Sequence, residues 1–108
     1  MTDRRFLNTY RKMQESESAD AFYKRLETEL EKSTEWPSQY LYKFIVKSNR
    51  ELISSIENMF DNMGAVIKTR TSGKGNYTSV SVHLVMSSPE AVIEKYKQVA
   101  ALGDVILL

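Results

Sequence analysis

The sequence predicts an α+β domain in which residues 41–108 follow the order β-α-β-β-α-β, with one extra helix in front. Three observations carry this expectation. Residues 77–86 alternate strictly, with Val80, Val82, Leu84 and Met86 on one face and Tyr77, Ser79, Ser81 and His83 on the other, the mark of a half-buried antiparallel strand. Two segments, 48–64 and 88–103, carry apolar residues at three- and four-residue steps between helix start and stop residues. Short runs rich in β-branched and aromatic residues lie on either side of each.

The first twelve residues hold four bases (Arg4, Arg5, Arg11, Lys12) and one acid (Asp3), with no apolar period. Residues 1–17 therefore read as a flexible arm ahead of a single domain over 18–108. An alternative start at Met13 would leave residues 1–12 outside the native protein. From Ser18 the pattern turns helical: Ala19, Phe22, Tyr23, Leu26 and Leu30 form a narrow stripe among charged residues. Ser18 can cap this helix and Asp20 suits the positive end of its dipole. The helix, spanning 18–34 at most, is expected to dock on the edge of a core, and Pro37 closes the segment.

Residues 41–46 (LYKFIV) read as a strand with Tyr42, Phe44 and Val46 on one face and Leu41, Lys43 and Ile45 on the other. Ser48 and Glu51 are spaced as a capping box for the next helix, whose stripe is Leu52, Ile53, Ile56, Met59, Phe60 and Met63. Gly64 is placed to end it in a left-handed turn. Strands at 65–71 and 77–86 flank Ser72-Gly73-Lys74-Gly75-Asn76, a loop of hairpin length. Ser88 and Pro89 open the last helix as N-cap and first residue, Val92, Ile93, Tyr96, Val99 and Ala100 form its stripe, and residues 105–108 make a final apolar strand. This is the split βαβ order of ferredoxin-like folds, with both helices on one face of a four-stranded antiparallel sheet. The other face is left open.

Two covers for that face are conceivable: the helix at 18–32 folding over it, or a second copy of the sheet. Leu41 and Ile45, with the apolar residues of the last strand, give it enough hydrophobic surface to need one. The intramolecular cover, and hence a monomer, is the expectation.

Composition narrows the function classes. The 108 residues include no cysteine and one histidine, which excludes disulfide frameworks, thiolate chemistry and a multi-histidine zinc site. A net charge of +1 is unlike a strongly basic nucleic-acid module. No run approaches the length of a membrane span, and the N-terminus lacks the apolar core of a signal peptide. A cytoplasmic location is expected, with Asn76-Tyr77-Thr78 a chance sequon on a turn.

The residues with chemical potential cluster at the hairpin and on the open face. Lys74, Gly75 and Asn76 resemble an anion cradle, since glycines expose backbone amides and the lysine adds charge. The simpler reading is a solvated turn. Ser79, Ser81 and His83 share a face with Tyr77, but a flat sheet spaces them apart and supplies no acid to orient the imidazole, so a nucleophile pair is not expected. Lys43, Lys47, Lys68 and Arg70 join His83 on that face by the pleat. It could meet an acidic partner or a nucleic-acid backbone, although Tyr77 alone offers a stacking surface for RNA. No metal and no cofactor is expected.

The run Lys74-Gly75-Asn76-Tyr77 followed by Ser79-Val80-Ser81, the pair Trp36-Pro37 ahead of the Tyr42-Lys43 strand, and the closing apolar strand together resemble the YbeD-like family of bacterial domains of unknown function. The resemblance covers about residues 35–108. It implies a ferredoxin-like fold related to the ACT regulatory domains, which bind amino acids and mostly pair. The chain departs from the family pattern by its arm and first helix. It departs from ACT domains at the first strand-to-helix turn, where Lys47-Ser48-Asn49-Arg50 stands in place of a glycine-bearing turn, so amino-acid sensing in that manner is not expected. The expectation is a regulatory or protein-interaction domain without catalysis. Binding of RNA or a small anion through the basic face and the Lys74-Gly75-Asn76 turn is the alternative.

Overall fold

The computed structural model describes residues 18–107. The expected arm at 1–17 and the terminal Leu108 lie outside the described residues. Among these residues, three helices and four strands follow in the order α1 (Ala19–Ser33), β1 (Ser38–Lys47), α2 (Arg50–Met59), β2 (Val66–Thr71), β3 (Tyr77–Met86), α3 (Pro89–Ala100) and β4 (Val105–Leu107). The strands form one antiparallel sheet in the spatial order β2-β3-β1-β4. From β1 onward this is the split βαβ arrangement expected of the sequence.

The two central strands are long because both can bury a full alternate face. Tyr42, Phe44 and Val46 of β1 lie beside Val82, Val80 and Thr78 of β3, and all six are buried under the helices. Ile56 from α2, Phe60 just past its end, and Val92, Ile93, Tyr96 and Val99 from α3 complete the core above them. β1 is longer than the expected 41–46, starting at Ser38, because β3 offers a partner at every position as far as Met86.

Two helix boundaries differ from the sequence expectation. The N-cap of α2 is Asn49, not Ser48: the Asn49 side chain accepts from the amides of Glu51 and Leu52 at 3.0 and 3.2 Å. Ser48 instead pairs its hydroxyl with Thr78 Oγ1 at 2.8 Å. Both residues are competent caps, and the demand of the buried Thr78 hydroxyl for a partner decides between them. At the other end α2 stops at Met59, short of the Met63 to which its apolar period runs. Asn62 and Gly64 both take positive φ, 61° and 71°, so the chain turns twice before β2 rather than ending helix and turn together at Gly64.

The position of α1 corrects a third expectation. This helix does not cover the open sheet face. It packs against α3, in the same layer as the other helices. Its Tyr23 is buried and stacks on Tyr96, and Lys97 lies 5.8 Å above the Tyr23 ring. The Trp36 indole N–H donates to the Leu30 carbonyl at 3.2 Å, fastening the end of α1 to the approach of β1. A layer of tyrosines results: Tyr40 Oη and Tyr96 Oη are 2.8 Å apart, and Tyr42 donates its hydroxyl to the Val92 carbonyl at 3.0 Å. These partners let an aromatic stripe be buried without orphaned hydroxyls.

Candidate functional site

With α1 docked on α3, the sheet face opposite the helices is bare of any described element, and the strand registers settle what it displays. Lys43 and Lys68 flank Ser81, one from each neighbouring strand. Ile45 and Arg70 flank Ser79 in the same way. His83 sits between Leu41 and Val66, Tyr77 lies beside Lys47, and Ile106 of β4 stands next to Ile45. Neighbouring strands are ~4.8 Å apart, so each such row brings its side chains within reach of one small group or one partner side chain.

The four strands contain Lys43, Lys47, Lys68 and Arg70 and not one aspartate or glutamate. Among the described residues, Lys43, Lys68 and Arg70 make no ion pair. The acids of residues 18–107 lie on the helices and connections instead, so a chain of nearly balanced charge presents one uniformly basic sheet face. Lys43, Lys68, Arg70, Tyr77, Ser79 and Ser81 line a shallow depression of about 730 Å³ on it. His83 lies on the same face, one row beyond.

Apolar side chains surround this basic band. Leu41 is 51% exposed, Val66 58%, Val85 59% and Tyr77 48%, and no other large hydrophobic residues among those described are as open. All four belong to the open face by register. Val66 and Val85 had no part in the sequence-based site, although the period-two count that places Lys68 and His83 also places them.

The hairpin residues Lys74, Gly75 and Asn76 stand apart from the depression. Gly75 adopts φ 77°, and its amide donates to the Ser72 carbonyl at 2.8 Å to close the turn. The Asn76 carbonyl accepts from the Ser48 amide at 3.0 Å, and the Ser72 hydroxyl accepts from the Tyr77 amide at 3.2 Å. The Gly75 amide on which an anion cradle would draw is therefore engaged within the loop itself.

A second depression, of about 560 Å³, lies on the helical side between α2 and the β2–β3 pair, lined by Ser48, Arg50, Ile53, Ser54, Glu57, Thr71 and Thr78. Its buried hydroxyl, on Thr78, is already bonded to Ser48 and reaches Thr71 Oγ1 at 3.4 Å. No buried side-chain nitrogen or oxygen among the described residues lacks a partner, so no polar group is left waiting for a ligand there. Among the described residues there is also no grouping of three or more His, Asp or Glu fit to hold a metal. None of their helices is long and apolar enough to cross a membrane.

Residues 31–108 match the model of a family described as "Protein of unknown function (DUF493)". The chain belongs to that family. No curated protein and no solved structure matches it with significance. The DUF493 match begins near the end of α1, so it takes in all four strands, α2 and α3 but leaves out Tyr23, whose ring stacks on Tyr96 and joins α1 to the tyrosine layer. The open face and every candidate residue on it fall within the DUF493 portion, whereas most of α1 is an addition that thickens the helical layer.

Proposed function

We propose that this DUF493 member is a non-catalytic binding module, of YbeD-like type, whose working surface is the open sheet face. The carrying observation is the coincidence on one face of the sheet's four cations, no carboxylate, and the four most exposed large hydrophobic residues. Isolated exposed aliphatics are ordinary, but several on one flat face, interleaved with unpaired charge, mark an interaction surface. Catalysis finds little support: Ser79, Ser81 and His83 project from one flat sheet with no acid in any strand to orient the imidazole.

The module acts as a monomer in the cytoplasm, and regulation by docking is the role that fits it best. Two copies joined through this face would set Lys43, Lys68 and Arg70 of one against those of the other, an arrangement like charges oppose. A chain without cysteines suits a reducing compartment.

The test is quantitative capture from lysate of the source cells, comparing the wild-type chain with a Lys43→Glu/Lys68→Glu variant. Species enriched on the wild type and lost from the variant support the face as the binding surface. An identical captured set on both would refute it.

A further inference from the structure

We infer that the partner of the open face is an acidic, aliphatic-bearing polypeptide segment rather than a nucleic acid or a second copy of the chain. The inference rests on the reading of that face as the binding surface and adds the chemistry of its occupant.

Along β3 the face changes character in order. Val85 and the Leu41–His83–Val66 row form an apolar end. The Lys43–Ser81–Lys68 row and Arg70 beside Ser79 form a basic band immediately next to it. Successive rows on one face are two residues apart, about 7 Å along the strand. An occupant that matches both must place aliphatic side chains and carboxylates at that same short interval, which an extended or helical polypeptide does with residues two to four apart.

Charge complementarity fixes the sign. Lys43 of β1 and Lys68 of β2 stand at either side of Ser81, Arg70 of β2 stands beside Ser79, and no acid on the sheet competes for them. A carboxylate laid over Ser81 would meet a lysine on each side and a hydroxyl donor beneath. A nucleic-acid strand would use the same cations but not the rest of the face. Single-stranded recognition relies on aromatic platforms for the bases, and among the described residues the strands offer one aromatic on the open face, Tyr77, at the end of β3. Leu41, Val66 and Val85 would be left against phosphates and sugars, where their exposed surface gains nothing.

The experiment measures binding of short labelled probes to the full chain by fluorescence anisotropy. The probes are a peptide alternating Glu and Leu, its Gln/Leu and Glu/Ser counterparts, and oligouridine of equal length. The Glu/Leu peptide is expected to bind at least about tenfold more tightly than either counterpart and than oligouridine, with an affinity that falls as salt rises. The Lys43→Glu/Lys68→Glu/Arg70→Glu variant should lose that preference by roughly tenfold or more, and Leu41→Ser/Val85→Ser should lower Glu/Leu binding towards the Glu/Ser level. All five positions lie on the uncovered face, and circular dichroism verifies that both variants remain folded. Tighter binding of oligouridine would overturn the inference in favour of a nucleic acid. Self-association of the wild-type chain that is abolished by the same charge reversals would overturn it in favour of a second copy. If the capture experiment maps partners to the face while Glu/Leu binds no better than Gln/Leu, the face stands as the binding surface and the acidic occupant falls.

Discussion

The Tyr23 ring of α1 stacks on the Tyr96 ring of α3, with centroids 6.5 Å apart and planes at 24°. That pairing decides which side of the sheet the first helix serves. Because Tyr23 is buried there, the apolar stripe of α1 is committed to the helical layer and cannot also shield Leu41 or Val85 on the far face. The consequence for stability is direct: Tyr23→Ala should cost about 3 kcal/mol, the range for deleting a buried aromatic ring. Chemical denaturation of the full chain measures it, and an unchanged midpoint would show that α1 docks elsewhere.

Ile56 is fully buried at the middle of the α2 stripe, within the same cluster as Phe44 and Val82. Ile56→Ala should destabilise by about 2–5 kcal/mol through lost burial and the cavity left behind. A near-neutral substitution would contradict the packing of α2 on the sheet.

Asn49 and Ser48 separate two kinds of loss. Asn49→Ala removes the cap of α2 and should cost about 1 kcal/mol. Glu51→Ala, which a capping box would make costly, should stay within about 0.5 kcal/mol because its carboxylate has no capping role. Urea denaturation of the two variants distinguishes the observed cap from the one the sequence spacing favours.

How far the chain could be read ahead of its structure follows from which interactions are local. The alternation from Tyr77 to Met86 fixes the two faces of β3, and Ser88 with Pro89 marks the start of α3, because pleat and helix entry are decided within a few residues. The choice of Asn49 over Ser48 was not legible, since it depends on Thr78, thirty residues away. The docking of α1 was not legible either: a stripe of Phe22, Tyr23, Leu26 and Leu30 shows that a helix must bury one side but not against what. The candidate site was half readable. Period two places Lys43, Lys68, Arg70, Ser79, Ser81 and His83 on one face, but only the strand registers bring Lys43 and Lys68 to either side of Ser81.

The tyrosine layer predicts an alkaline limit. Burial pushes the phenol pKa values of Tyr96, Tyr42, Tyr40 and Tyr23 above the ordinary value of 10.0. The unfolded chain ionises first, so it releases protons where the folded chain retains them. The stability due to these neutral phenols is therefore complete below pH 10 and falls as pH rises through the folded-state values. A pH series of thermal unfolding should show a flat midpoint up to about pH 10 and a steep decline above it. Tyr40→Phe should separately cost about 1 kcal/mol at neutral pH, because it removes the hydrogen bond between the Tyr40 and Tyr96 hydroxyls, 2.8 Å apart.

The account depends on the sheet face being uncovered, and nuclear Overhauser contacts in the full-length chain test that most directly. Cross-peaks between the Tyr23 and Tyr96 rings are predicted, while the methyl groups of Leu41, Val66 and Val85 should show contacts to residues of their own sheet alone. Contacts from Phe22, Leu26 or Leu30 to any of those three methyl-bearing residues would contradict it.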